Sequence, residues 1–251
     1  MSLRFFALCL LLGLPIFISH AADKTELVFI ASIHGAHKNH PVYDYLTLYD
    51  LVGSYHPDYV GVEIRPEDIT ATTEYLKQYY PLEMIELSQQ YKGAVFGFDW
   101  LGEQITGMQI PTDYFKNLNI IKLQHALSAD EKLKNNKPAR LDTLTEQQLQ
   151  IVKTATPFTL NNGQYGMLTR EKDALEEQWL ANTDYMQIVD FNKKRDKKIA
   201  DNIIEFVSEN KGKRIVLVMG ADHRTFAIEN VKQHFGDEVT IMPVAKTVNK
   251  P

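Results

Sequence analysis

The strongest constraint in this chain is a set of short apolar runs that do not alternate with polar residues. Glu26 to Ile33 (ELVFIASI), Tyr59 to Ile64 (YVGVEI), Ala94 to Phe98 (AVFGF) and Arg214 to Met219 (RIVLVM) are all rich in β-forming side chains. A strand with one wet face carries a polar residue at every second position. A run without that alternation is buried on both faces, as in a parallel sheet covered by helices. A fifth run, Val239 to Val244 (VTIMPV), contains Pro243 and reads as an edge strand, because proline cannot donate to a ladder.

The intervening segments supply the helices. Roughly 25 residues separate the first two runs, enough for a parallel crossover. After His40-Pro41 the apolar positions Val42, Tyr45, Leu46, Tyr49 and Val52 recur at spacings of three and four, ending near Gly53. Ile188 to Asn210 puts Ile199, Ile203, Phe206 and Val207 on one face and stops at Gly212. Thr225 to Phe235 supplies another helix. The expected fold class is α/β, a mainly parallel β-sheet flanked by helices, in a single domain over residues 22–251. Between strands three and four, residues 101 to about 182 are polar, with turn signals at Lys137-Pro138 and Asn161-Asn162-Gly163. This stretch reads as a helical insertion, either a cover on one sheet face or a lid over the site.

The start of the chain reads as a leader. Met1 to Arg4 is a short basic start, Phe5 to Ile18 is apolar, and Ser19-His20-Ala21 offers small residues for a signal peptidase. The apolar run has about fourteen residues, short of the roughly 20 that span a bilayer. A cleaved signal over residues 1–21 and a secreted or periplasmic protein without a stable membrane span are expected. The single cysteine, Cys9, falls inside the leader and is not placed as a lipid acceptor, so any metal would use His, Asp or Glu. The net charge of -5 gives no basic field for a phosphate backbone, and Lys193 to Lys198 reads as a solvated helix face. Nucleic acid is excluded as an expected partner.

Ligands of parallel sheets bind outside the carboxyl ends of the strands. His34 follows strand one, Glu63 and Arg65 end strand two, Asp99 ends strand three, and Asp222, His223 and Arg224 follow strand four. Each has an ordinary explanation alone: a loop hydrogen bond, a rim ion pair between Glu63 and Arg65, or Asp222 as a helix cap. Together they point to chemistry. With strands one and four adjacent, His34 and His223 reach a common point and Glu63 supplies a carboxylate. Two histidines and a carboxylate can ligate a divalent ion that acidifies water. Equally, a carboxylate from Glu63 or Asp99 can hold an imidazole as general base while Arg65 or Arg195 meets developing negative charge. His37 and His40 precede the helix and read as loop residues.

The second motif, Gly220-Ala221-Asp222-His223, the acidic strand Pro57-Asp58-Tyr59-Val60-Gly61-Val62-Glu63 and the segment Arg195-Asp196-Lys197-Lys198-Ile199-Ala200 occur in compatible contexts. This pattern resembles the TraB/Tiki-like group, which is related to the erythromycin esterase-like and ChaN-like haem-binding families. The first motif departs from it, reading Ala31-Ser32-Ile33-His34 with alanine in place of glycine. The resemblance spans residues 26–65 and 190–245. It implies an α/β fold with a rim site from His34, Glu63, Arg195 and His223.

The expected function is therefore an exported, metal-dependent hydrolase of the TraB/Tiki-like type, cleaving a peptide or small-molecule ester with a His/Glu site. The expected metal ligands are His34, His223 and Glu63, holding manganese, cobalt, iron or zinc. Glu63, Arg65, Arg195 and Asp99 are the expected catalytic groups. Two other readings stand beside it, a metal-free His/Glu esterase and a haem- or iron-binding protein of the ChaN-like type, for which some of the 12 tyrosines would be suitable ligands.

Overall fold

The computed structural model describes residues 24–245. The leader expected over residues 1–21, Cys9 included, lies outside them. Five strands form one parallel sheet: β1 (Thr25–Ser32), β2 (Tyr59–Val62), β3 (Val95–Gly97), β4 (Arg214–Gly220) and β5 (Val239–Met242), in the spatial order β3-β2-β4-β1-β5. The helices are α1 (Tyr45–Ser54), α2 (Thr73–Tyr79), α3 (Leu82–Gln90), α4 (Tyr114–Asn117), α5 (Asn119–Ala129), α6 (Glu131–Asn135), α7 (Ala139–Thr154), α8 (Pro157–Asn161), α9 (Gln164–Leu180), α10 (Met186–Glu209) and α11 (Ala221–Phe235). The expected α/β class holds.

The apolar runs become strands because both faces of the sheet are covered. Leu27 and Phe29 point one way from β1, where they join Ile199, Ile203 and Val207 of α10 and Val231 of α11. Val28 and Ile30 point the other way, to Leu48, Leu51 and Val52 of α1 and to Met84 and Leu87 of α3. All four of these strand side chains are fully buried. At about 25 cal/mol per Å² of apolar area, each stabilises the fold by about 1.5 to 3 kcal/mol relative to exposure, and a polar residue at any of them would break the layer.

β5 is an edge strand, and it ends at Met242, just before Pro243. β1 continues past it, and side chains replace the missing neighbour. Arg224 Nε donates to Phe29 O at 2.8 Å, Asn161 Oδ1 accepts from Ala31 N at 2.8 Å, and the Tyr43 hydroxyl donates to Ala31 O at 2.8 Å. An exposed ladder edge is thereby satisfied without a sixth strand.

Three boundaries differ from the sequence reading. First, α11 begins at Ala221 instead of Thr225, so Asp222 and His223 lie in its first turn and Asp222 is not its cap. Second, α1 starts at Tyr45, where Asp44 Oδ1 accepts from Thr47 N at 2.8 Å, instead of directly after Pro41. Third, His34 does not end in a plain loop: His34–Asn39 form a 3-10 turn. The segment from residue 101 to 182 is helical and contains no strand among the described residues. Its α9 packs on α11 at Gly166, where any Cβ would overlap Thr225 Oγ1.

Candidate functional site

The pairing of β1 with β4 runs from Glu26 and Arg214 to Ser32 and Gly220, and β2 pairs with the other side of β4. The ends of these three strands therefore lie side by side. His34, Glu63 and His223 emerge there, with Asp99 behind β3 and Arg195 arriving from α10.

Glu63 is the centre. It is 5% exposed, and its Oε2 accepts from Gly220 N at 2.6 Å, while Oε1 accepts from Arg195 Nη2 at 2.8 Å. Arg195 is a bridge: its Nε and Nη2 also donate to the two oxygens of Asp99, at 2.9 and 3.1 Å. This fork matches the carboxylate plane and fixes both acids. Burial opposes the charge of Glu63, but His223, Arg195 and His34 outweigh it and hold its pKa down at about 2. At Asp99, burial outweighs the pull of Arg195 and, with the repulsion of Glu63, raises the pKa.

Two imidazoles flank Glu63, each anchored behind by a different carboxylate. His223 Nδ1 lies 2.6 Å from Asp196 Oδ1, and its Nε2 is 3.6 Å from Glu63 Oε1. His34 Nδ1 lies 2.8 Å from Glu83 Oε1. A neutral imidazole so held carries its proton on Nδ1 and presents a bare Nε2 on the other side. Gly220 leaves room for the His34 ring beside Glu63. A Cβ there would fall 2.7 Å from His34 Nε2, closer than packed atoms approach, and 3.3 Å from Glu63 Oε2, a tight contact. Burial works against protonating either ring. At His34 the hydrogen bond to Glu83 and the charges of Glu63 and Glu83 reverse it, and at His223 the charge of Glu63 and the bond to Asp196 do so. Both pKa values are raised.

The turn carrying His34 is built by its neighbours. His34 has φ of 49°, a left-handed conformation uncommon for a residue with a Cβ. Ser32 Oγ accepts from His34 N at 3.0 Å and donates to Glu83 Oε1 at 2.7 Å. The fully buried His37 receives Ile33 N on Nε2 at 3.1 Å and donates from Nδ1 to Tyr43 O at 2.6 Å. His37 is thus a neutral structural ring, and its pKa is lowered because burial outweighs its hydrogen bond to Tyr43. His40 is likewise structural, with Nδ1 accepting from Tyr43 N at 2.8 Å and Nε2 near Val152 O at 3.0 Å.

Five of the expected residues therefore converge: His34, Glu63, Asp99, Arg195 and His223. Arg65 does not. Its side chain is 2% exposed and turns the other way, donating to Asp68 Oδ2 at 2.8 Å, Ile105 O at 2.7 Å and Met108 O at 2.8 Å. Its role is to pin the segment after β3 to the turn after β2. Nor does Arg195 stand as a free cation, since two carboxylates occupy it. The expected glycine at position 31 is not needed: Ala31 lies inside β1, and its Cβ demands no special backbone.

The sequence reading passes over Glu83, Asp196 as an anchor, and Tyr165. The signal for Glu83 is slight, an acid after Pro81 beside the apolar Met84, Ile85 and Leu87. Tyr165 belongs to the insertion and donates to Asp222 Oδ1 at 3.0 Å. It lines a small cavity with Ser32, Ile33, His34, Val152 and the Gly220–His223 turn.

A divalent ion is a partial fit to these residues. The donor chemistry suits one, because each Nε2 is aimed toward Glu63 and each Nδ1 has the outer carboxylate that metal-bound histidines commonly have. The arrangement does not, because Glu63 is committed to Gly220 and Arg195. Among the described residues no three His, Cys, Asp or Glu side chains gather closely enough to hold a metal. The chain matches no protein-family model, no curated protein and no solved structure.

Proposed function

We propose that this chain is an exported hydrolase, of the TraB/Tiki-like type its motifs resemble, that cleaves a peptide or ester bond with paired imidazoles. One observation carries the reading: two histidines, each anchored at Nδ1 by its own carboxylate, flank a single buried glutamate. A structural role for either ring would need no second carboxylate behind it.

In this reading His34, the more exposed ring at 39% of its side chain, is the general base. Its Nε2 takes a proton from water as the water oxygen bonds to the carbonyl carbon. His223, protonated under the charge of Glu63, gives its proton to the leaving group as the old bond breaks. Solvent then returns a proton to His223 and removes one from His34. The first turn of α11, which carries no side-chain cap, borders the same cavity and suits the developing oxyanion. Arg195, itself gripped by Asp99, holds Glu63 in place.

The metal-dependent form of this hydrolysis is a second proposal, favoured by the carboxylate anchoring of both rings. It requires Glu63 to exchange its present partners, and no step is assigned to it. The haem alternative has less support, because Tyr165, the tyrosine lining the cavity beside both histidines, spends its hydroxyl on Asp222.

The test is turnover of a fluorogenic peptide library and of simple aryl esters by the chain purified without chelator, with elemental analysis alongside. His34→Ala and His223→Ala should each lower kcat by about 10² to 10⁴, the usual worth of a positioned acid or base, while remaining folded. Undiminished turnover in both variants would falsify the assignment. Turnover that survives EDTA in a metal-free sample favours the imidazole form; near-stoichiometric metal, lost in the double variant, favours the metal form.

A further inference from the structure

The sheet ends differently at its two sides. Past β5, the free backbone groups of β1 are taken by Arg224, Asn161 and Tyr43. At the other side, β3 is an edge strand with β2 as its neighbour. Val60 N donates to Ala94 O and Phe98 N to Val62 O. The alternation of a parallel ladder therefore turns Ala94, Phe96 and Phe98 toward β2, and the N–H and C=O groups of Val95 and Gly97 away from it. Asn202 Nδ2 takes Phe98 O at 3.0 Å, but among the described residues no hydrogen bond reaches Val95 or Gly97 on the outer side. Gly97 is buried and Val95 half-buried, and backbone groups so placed are nearly always paired.

Both residues line an open groove of about 300 Å³ along this edge. Its two walls differ in chemistry. On the α10 side Phe206 stacks on Phe96, ring centroids 3.6 Å apart, and the exposed Glu205 and Glu209 stand next to it. On the other side are Pro66 and Ile69, and Ile69 packs with Val95 on the core around α1 and α3. Glu205 and Glu209 form no ion pair among the described residues. They lie near the carboxyl end of α10, where the helix dipole favours a cation and α10 itself supplies none.

We propose that the β3 edge is a docking site for an extended segment of a partner protein, which adds a sixth strand with basic side chains toward α10 and apolar ones toward Ile69. Main-chain bonds to Val95 and Gly97 hold the segment, and the period of a strand sends every second side chain to each wall. Toward α10, a lysine or arginine lays its stem along Phe206 and brings its charge to Glu205 and Glu209. Toward Pro66 and Ile69, a branched apolar side chain meets an apolar surface. The chemistry recognised is thus a short strand in which basic and apolar residues alternate. The inference does not rest on the hydrolase reading, since His34, Glu63 and His223 are not among the residues lining the groove.

The probe is the peptide acetyl-Lys-Val-Lys-Val-Lys-amide, titrated into the ¹⁵N-labelled wild-type chain. A parallel titration uses the His34→Ala, His223→Ala double variant, so that cleavage at the histidine pair cannot deplete the peptide. The amide signals of Val95, Phe96 and Gly97 should shift, with those of Ala221 and Asp222 unmoved. Reversing both charges, Glu205→Lys with Glu209→Lys, should weaken binding at least tenfold, and so should replacing the peptide lysines by glutamates. N-methylating the lysines and N-methylating the valines should act unequally, because a strand bonds its neighbour through alternate residues. One pattern should abolish the shifts and the other leave them. Equal effects of the two patterns, binding indifferent to charge, or no shifts at β3 overturn the proposal. Shifts at β3 that grow with chain concentration in the absence of peptide would assign the edge to a second copy of the chain and overturn it as well.

Discussion

The two histidine arms reach the same end by different means. His223 sits in the first turn of α11 with helical backbone and finds Asp196 on the neighbouring long helix α10, so ordinary helix packing aims it. His34 stands on a short turn with φ of 49° and depends on Ser32, His37 and Glu83 to hold it there. One arm is positioned by regular structure and the other by a local polar network. The second should be the easier to loosen, because left-handed backbone at a residue with a Cβ costs about 1 to 3 kcal/mol and persists only where its surroundings fix it.

The largest effect should come from the group the arms share. Glu63→Gln removes the charge facing both rings and leaves Arg195 only Asp99 as an ionic partner. A loss of about 3 to 5 kcal/mol is expected in urea unfolding, the usual cost of breaking a buried ion pair. An unchanged midpoint would mean that Glu63 is not the hub.

Gly220→Ala sharpens the comparison, because the added methyl meets His34 Nε2 and leaves the His223 anchor at Asp196 intact. Turnover should fall at least tenfold while the ¹⁵N signals of the His223 ring stay in place. Movement of His223 and not His34 would reverse the geometry described above. His37→Ala tests the network itself. It strips partners from Ile33 N and Tyr43 O, at about 1 to 3 kcal/mol for each buried group left unpaired, and should lower kcat through His34 alone. The effect is checked by pairing it with His34→Ala, where the two losses should not add in activity.

The smallest effect is the pH dependence of stability. The folded pKa values of His34 and His223 are raised, so the stability they confer is fully present below 6.5 and is lost as the pH rises through each folded value. Glu63 acts in the opposite sense, contributing above about 4.5 and losing its contribution as the pH falls toward about 2. Unfolding free energy measured from pH 2 to 9 should therefore peak between these windows. A curve still rising at pH 9 would contradict the histidine part.

The contrast between the arms also explains what the sequence revealed. The strands are legible because burial on both faces leaves no polar alternation in Leu27 to Ala31 or Ile215 to Met219. The strand-end residues follow from that order, and so His34, Glu63, Asp99 and His223 can be found from their positions alone. What anchors them is harder to read. Glu83 lies 49 residues from His34 and Asp196 lies 27 from His223, and each is an ordinary acid on a helix until the fold brings it behind a ring. Arg65 shows the opposite error. Its place two residues after Glu63 suggests the same rim, yet side chains two apart near a strand end need not share a destination, and Asp68 with two carbonyls captures it. The insertion is legible as helical but not as a border of the site, because Tyr165 and Val152 gain meaning only where they line the small cavity beside His34 and His223.

The central claim is that both imidazoles are held with their protons on Nδ1 and their Nε2 atoms toward the space beside Glu63. It is tested most directly by ¹⁵N NMR of the histidine rings across a pH titration of the wild-type chain. The account predicts that the rings of His34 and His223 both titrate above pH 6.5 and, once neutral, are Nδ1–H tautomers. Neutral Nε2–H tautomers at either ring, or titration at or below 6.5, would contradict it.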